Sequence, residues 1–203
     1  MKFEAKELAK SFSGPPIFRN VFLAAERGLV AVTGQNGSGK STLLKIFAGL
    51  MRPSRGSVAL WNGGVKLDEG ERRHAIGFAS PELDFIDELT AVENLSLLSR
   101  AAGRPAGPAD IGRILDALGL ARAAHDGRVG EFSSGMKQRV RLAFSLLLDP
   151  PVLLWDEPYS NLDVRGIEAA RRVLSARRGS GLVILATNDR RDIEDADREV
   201  SLS

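Results

Sequence analysis

One run of the chain has an obvious chemical use: Gly34-Gln35-Asn36-Gly37-Ser38-Gly39-Lys40-Ser41-Thr42 fits the pattern G-x-x-x-x-G-K-[ST]. Its glycines let the backbone curl until successive N–H groups converge on phosphate oxygens. A helix starting there adds its positive end. Lys40 is then placed to reach the β- and γ-phosphates of a bound nucleotide, and the Ser41 hydroxyl to reach Mg²⁺. Gly34, Asn36, Gly37, Gly39 and Thr42 belong to the same candidate phosphate-binding turn. A second run, Val152-Leu153-Leu154-Trp155-Asp156-Glu157, is an apolar strand ending in two carboxylates. Asp156 is expected to hold Mg²⁺ through water. Glu157 is placed to orient or deprotonate an attacking water.

These groups need a strand before the phosphate loop and a helix after it. Leu29 to Thr33 reads as that strand, and Ser41 to Leu50 as that helix, stopping before Pro53. Residues 1–31 alternate polar and apolar and read as antiparallel strands with a turn at Gly14-Pro15-Pro16. Ser57–Trp61, Ala75–Ala79, Val152–Trp155 and Leu182–Ala186 read as further strands. Ala91–Ala102, Ala109–Leu120, 136–148 and Val164–Arg177 read as helices. In the second, Ile111, Ile114, Leu115 and Leu118 share one face. The order predicts an α/β fold: a P-loop NTPase core with a mixed, largely parallel sheet, an N-terminal antiparallel β part and an inserted helical subdomain. The expected division of the single domain 1–203 is a RecA-like core with the β part (1–81 and 149–203) and a helical subdomain (82–148).

Composition narrows the field. A chain of 203 residues can bury a real core. Its 28 Lys+Arg and 26 Asp+Glu leave a net charge of +2, too small to argue for nucleic acid or a membrane surface. The pairs Arg171-Arg172, Arg177-Arg178 and Arg190-Arg191 alternate with acids such as Glu168, Asp189 and Asp192, and read as solvated helix faces. The lack of Cys excludes disulfides, thiolate zinc sites and cysteine nucleophiles. No apolar run reaches the roughly 18 residues a spanning helix needs. The charged start MKFEAKELAK does not read as a signal peptide. The expectation is a soluble, cytoplasmic chain, nearly filled by one domain, that meets a membrane only through a partner. His74 and His125 read as surface or packing residues, and Trp61 and Trp155 as core.

Three further segments carry a family resemblance. Phe132-Ser133-Ser134-Gly135-Met136-Lys137-Gln138-Arg139 resembles the signature LSGGQ-x-Q-R, with Met136 at the fifth position. Ser160-Asn161-Leu162-Asp163 resembles a D-loop. Leu89-Thr90-Ala91-Val92-Glu93-Asn94-Leu95 resembles the stretch that opens a helical subdomain. With the phosphate loop, they make the chain resemble the ATP-binding subunits of ABC transporters, closest in style to ABC-2 exporters and heme-exporter ATPase subunits. The resemblance implies that Phe12 stacks on adenine and that two nucleotide-binding domains pair head to tail. Ser133 and Gly135 would then bind the partner copy's γ-phosphate, and Asp163 would act across the dimer near its phosphate loop. Implied partners are separate transmembrane permease subunits and a second ATPase subunit, identical or different, at the cytoplasmic membrane face. Direct nucleic-acid contact is not expected. A non-transport ABC ATPase acting on nucleic acid or ribosomes is the alternative reading; the short stretch ahead of Phe132 and the single cassette oppose it.

Two positions depart from the family pattern. Pro81 stands where the family carries a Gln. Its neighbour Glu82 offers a replacement oxygen for Mg²⁺, or is a solvated loop acid. Asn188 stands where the family has a His that contacts the γ-phosphate. An amide donates a hydrogen bond but carries no proton. Losing one such contact costs about 2 to 4 kcal/mol, or about 30- to 1000-fold in turnover.

Overall fold

The computed structural model describes residues 1–202; Ser203 and the side chain of Arg190 lie outside the described part. The strands are β1 (Lys2–Lys10), β2 (Phe18–Ala25), β3 (Gly28–Gly34), β4 (Arg55–Asn62), β5 (Val65–Lys66), β6 (Ile76–Ala79), β7 (Val152–Asp156), β8 (Leu182–Ala186) and β9 (Arg198–Leu202). The helices are α1 (Lys40–Phe47), α2 (Glu69–His74), α3 (Ala91–Ala101), α4 (Pro108–Ala117), α5 (Ser134–Leu146) and α6 (Val164–Arg178).

The mixed sheet expected from sequence resolves into two sheets, each of one kind. An antiparallel sheet has the order β2-β1-β4-β5, and a parallel sheet the order β6-β7-β8-β3-β9. The separation follows from connections. A short turn closes the β1–β2 hairpin, where the Ile17 N–H donates to Lys10 O at 2.7 Å. Parallel neighbours need longer crossovers, which place helices over the sheet faces. Both faces are indeed covered, so β7 and β8 are buried at every residue. Val30, Leu154 and Ile184 point into a core shared with α1 and the antiparallel sheet. Leu153, Trp155, Val183 and Leu185 point the other way, into a core filled by α3, α4, α5 and α6.

Trp155 lies fully inside this second core, and its Nε1 donates to Ser145 Oγ at 2.8 Å. Trp61 is half-buried on β4 and His74 is exposed; His125 is buried, with Nε2 3.2 Å from Leu120 O. Three elements escaped the sequence reading. Helix α2 buries none of its side chains and shows no apolar stripe; a capping box between Asp68 and Glu71 holds its start. Strand β5 is only two residues long, and β9 is an edge strand that buries only Leu202. The parallel register aligns the ends of β3, β7 and β8, pairing Val32 with Ala186 and Asp156 with Ala186. The loops carrying the candidate residues therefore leave the sheet side by side.

Candidate nucleotide site

Strand β3 ends in the phosphate loop, and two of its glycines are required by space. A Cβ on Gly34 (φ +150°) would collide with the Ser38 side chain and lie 2.6 Å from Leu202 O. Gly39 caps α1 with φ +94°, and a Cβ there would lie 2.6 Å from Ile17 Cγ2. Helix α1 has no side-chain cap, whereas Thr90, Ser133 and Asp163 cap α3, α5 and α6. The free N–H groups of its first turn thus face outward with the positive end of the helix. Lys40 is only 7% exposed. Its Nζ donates to Gly34 O at 2.9 Å and Gln35 O at 3.2 Å, and lies 3.9 Å from Glu157 Oε1.

The acids close the other side. Asp156 is buried at the end of β7 beside the Ser41 hydroxyl, and its Oδ1 has no hydrogen-bond partner. Burial pushes its carboxyl above the usual range, against the pull of Ser41 and Lys40. Glu157 has φ +47°, an uncommon conformation for a residue with a side chain, and its N–H donates to Ala186 O at 2.9 Å. Burial also pushes the Glu157 carboxyl up, with Lys40 opposing. A buried carboxylate oxygen with no partner, beside a hydroxyl, suits a hard divalent cation. Among the described residues no three acids or histidines cluster as a metal cage. Asp156 and Ser41 are therefore fitted to hold Mg²⁺ jointly with phosphates and water, the usual preference of that ion.

Asn188 leaves β8 next to these groups. Its Nδ2 donates to Asn36 Oδ1 at 3.0 Å, tying its loop to the phosphate loop. Thr187, buried beside it, donates to Asp192 Oδ2 at 2.9 Å. Glu82 is engaged elsewhere: Lys45 Nζ lies 2.7 Å from both of its carboxylate oxygens. Lys45 sits on α1 one turn beyond Ser41, so Glu82 meets the site's helix through a lysine. Phe12 is 63% exposed, with Lys10 Nζ 5.0 Å from the ring centroid. The turn that carries it ends at Ile17, which packs on Gly39 beside the phosphate loop.

The signature lies apart from the phosphate loop, with Ser133 outward and Gly135 buried in the first turn of α5. Ser133 is exposed, and its Oγ accepts from the Met136 N–H at 3.2 Å. A Cβ on Gly135 would lie 2.6 Å from Asn161 O. Asp163 is exposed and caps α6, with Oδ1 accepting from the Gly166 N–H at 2.8 Å. That bond and the Arg139 guanidinium hold its carboxyl below the usual range. No described hydrogen bond joins Ser133 or Gly135 to the phosphate loop of the same chain. Sequence reasoning quoted Gln138 and Arg139 but gave them no role, and did not single out Lys45. The signal for Arg139 was Gly135 and Gly166 in helices, where Gly costs about 1 kcal/mol against Ala and so marks a close approach.

A parallel sheet whose β3 feeds an uncapped helix through a phosphate loop, with a buried acid on β7, defines a P-loop NTPase. A family model described as ABC transporter matches residues 19–160. The chain therefore belongs to the ABC transporter family, as one of its ATP-binding proteins. It is 34% identical over 186 residues to the cytochrome c biogenesis ATP-binding export protein CcmA of Xanthomonas campestris, covering 91% of this chain and 85% of that protein. It is also 34% identical over 187 residues to an uncharacterized ABC transporter ATP-binding protein of Mycobacterium tuberculosis, covering 88% of this chain and 56% of that one. The chain thus spans little more than half the length of several relatives. Among solved structures, a dimeric ATP-binding cassette in a post-hydrolysis state, bound to ADP and Pi, superposes with a TM-score of 0.84 at 26% identity, over 99% of this chain and 94% of that one. No helix of the described residues is long and apolar enough to cross a membrane.

Proposed function

We propose that this chain binds and hydrolyses ATP to power a membrane transporter, dimerising with a second ATPase subunit and acting on separate transmembrane permease subunits. The observation that carries this is the buried Asp156 Oδ1, which has no partner, beside the uncapped start of α1. A single bound species, an ATP phosphate chain with Mg²⁺, answers both. Lys40 exchanges its bonds to Gly34 O and Gln35 O for phosphate oxygens. Asp156 and Ser41 would hold Mg²⁺, which would supply charge to offset the phosphates. Glu157 takes a proton from the attacking water or orients it, and its raised pKa suits a base. Phe12 offers a stacking face for adenine. Asn188 donates one hydrogen bond but no proton, so turnover is slow by about 30- to 1000-fold against a His at that place.

The composite arrangement uses the signature side. Ser133 and Gly135 of one chain serve the γ-phosphate on the other, and Asp163 approaches the partner's phosphate loop. A cleft of about 400 Å³, lined by Leu50, Ile76, Phe78, Leu83 and Phe144, opens beside the Lys45–Glu82 pair. Its apolar walls suit a segment of a permease subunit, and Lys45 connects it to the helix that carries Ser41. Through that partner the chain works at the cytoplasmic membrane face. Co-purification of the Glu157→Gln chain from membranes tests the reading: with ATP it should bring down a multi-span protein. Recovery without any membrane protein, together with RNA-stimulated ATPase activity, would favour the non-transport alternative.

A further inference from the structure

We infer that Arg139 is a positioning residue, which presents the signature and the D-loop to the partner copy as one rigid unit. The inference rests on the composite-site reading above. Arg139 is 9% exposed on α5, one turn after Gly135. Its Nη1 donates to Gly135 O at 3.2 Å, and its Nη2 donates to Asp163 Oδ1 at 2.5 Å. Its Nε is buried without a partner. A buried guanidinium is costly, and an apolar side chain of similar size packs as well. What an apolar residue lacks is the fork, which fixes two acceptors at once. Here the two acceptors lie on different elements, the first turn of α5 and the cap of α6.

The surroundings leave this joint no slack. A Cβ on Gly166 would lie 2.6 Å from Arg139 Nη2, and one on Gly135 would lie 2.6 Å from Asn161 O. Gln138 adds a second tie, its Nε2 donating to Pro158 O at 3.0 Å. Residues 133–139 and 158–163 are therefore held in one geometry. Both bonds to Asp163 fall on Oδ1, and its side chain is 67% exposed, so the other oxygen stays accessible to a partner. None of the bonds of Arg139 reaches residues 34–42. Its loss should spare the chain's own phosphate site and disable what the chain does for its partner.

Complementation between inactive variants tests this. Lys40→Ala and Arg139→Met should each lose about 100-fold in ATPase rate alone. Mixed, they form one composite site with Lys40 and Arg139 both intact, and the rate should rise about tenfold or more above either variant alone. Lys40→Ala mixed with Gly135→Asp tests the composite site itself. Should that control recover while the Arg139→Met mixture does not, Arg139 does not act in trans and the inference falls. Should neither recover, the composite-site reading falls and the inference with it. Gly166→Ala displaces the guanidinium while favouring the helix. It should lose activity while the monomer still binds ATP, and recover activity when mixed with Lys40→Ala. Full activity of Gly166→Ala alone would overturn the inference, even where Arg139→Met fails to fold.

Discussion

The two faces that would meet in a dimer are built in opposite ways. The phosphate side is left electrostatically open. Asp156 and Glu157 are desolvated, Asp156 Oδ1 and Ser38 Oγ are buried without partners, and α1 has no side-chain cap. The signature side is largely closed upon itself: Ser133 and Asp163 cap their own helices, Arg139 ties α5 to the cap of α6, and Gln138 ties α5 to the loop at Pro158, leaving Arg139 Nε as its buried atom without a partner. An unsatisfied buried group costs free energy that a ligand returns on binding. The phosphate side is thus destabilised until nucleotide arrives, while the signature side is ready before it.

The largest expected effect breaks the open side chemically. Glu157→Gln should lower phosphate release by about 100- to 10,000-fold. It should also leave an ATP-bound dimer visible by size exclusion; a strictly monomeric variant with ATP would contradict the mechanism. Next comes Asn188→His, which restores a proton carrier. Partner-stimulated ATPase should rise by about 30- to 1000-fold, and an unchanged rate would show that Asn188 serves only to hold Asn36. On the closed side, Gly135→Ala forces a methyl onto Asn161 O at a cost of about 1 to 3 kcal/mol. ATP-dependent dimerisation, read by light scattering in the Glu157→Gln background, should weaken about tenfold or more while the monomer still binds ATP.

The smallest effects are thermal, and their signs should differ. The folded pKa of Asp156 is raised, so the folded chain keeps its proton to higher pH than the unfolded one. Stability therefore falls as pH climbs from the usual Asp range through the raised value. Asp156→Asn should raise the melting temperature of the nucleotide-free chain at neutral pH, and this gain should vanish below the usual carboxylate range. The folded pKa of Asp163 is lowered, so its contribution is present above the usual Asp range and is lost as pH falls through the folded value. Asp163→Asn should lower the neutral-pH melting temperature slightly, since the group is exposed, and the gap should close on acidification. Scanning calorimetry of both variants across pH checks the pair; shifts of the same sign would erase the contrast.

How legible each face was in the sequence follows from the same difference. The phosphate loop lies in nine consecutive residues and uses backbone groups, so spacing alone places it. Asp156 and Glu157 follow because an apolar strand must end somewhere polar. The signature side depends on contacts across the chain: Arg139 and Asp163 are 24 residues apart, and nothing local says that α5 lies against the D-loop. The Lys45–Glu82 pair spans 37 residues and was equally invisible. In the fold, buried β7 and β8 were readable because β8 is apolar throughout and β7 is apolar up to its terminal Asp156. Helix α2 and strand β9 were not, because their stability comes from caps and edge pairing rather than from apolar pattern.

Amide hydrogen exchange on the Glu157→Gln chain, with and without Mg-ATP and at concentrations too low for dimerisation, tests the contrast most directly. The account predicts that Asn36, Gly37, Gly39 and Lys40 exchange fast without nucleotide and become protected on binding, while Ser38, whose N–H donates to Gln35 O, is protected in both states. It predicts that Met136, Lys137 and Gly166, whose N–H groups already have partners, are protected to the same degree in both states. Signature and D-loop amides that gain protection only when ATP binds the monomer would contradict it.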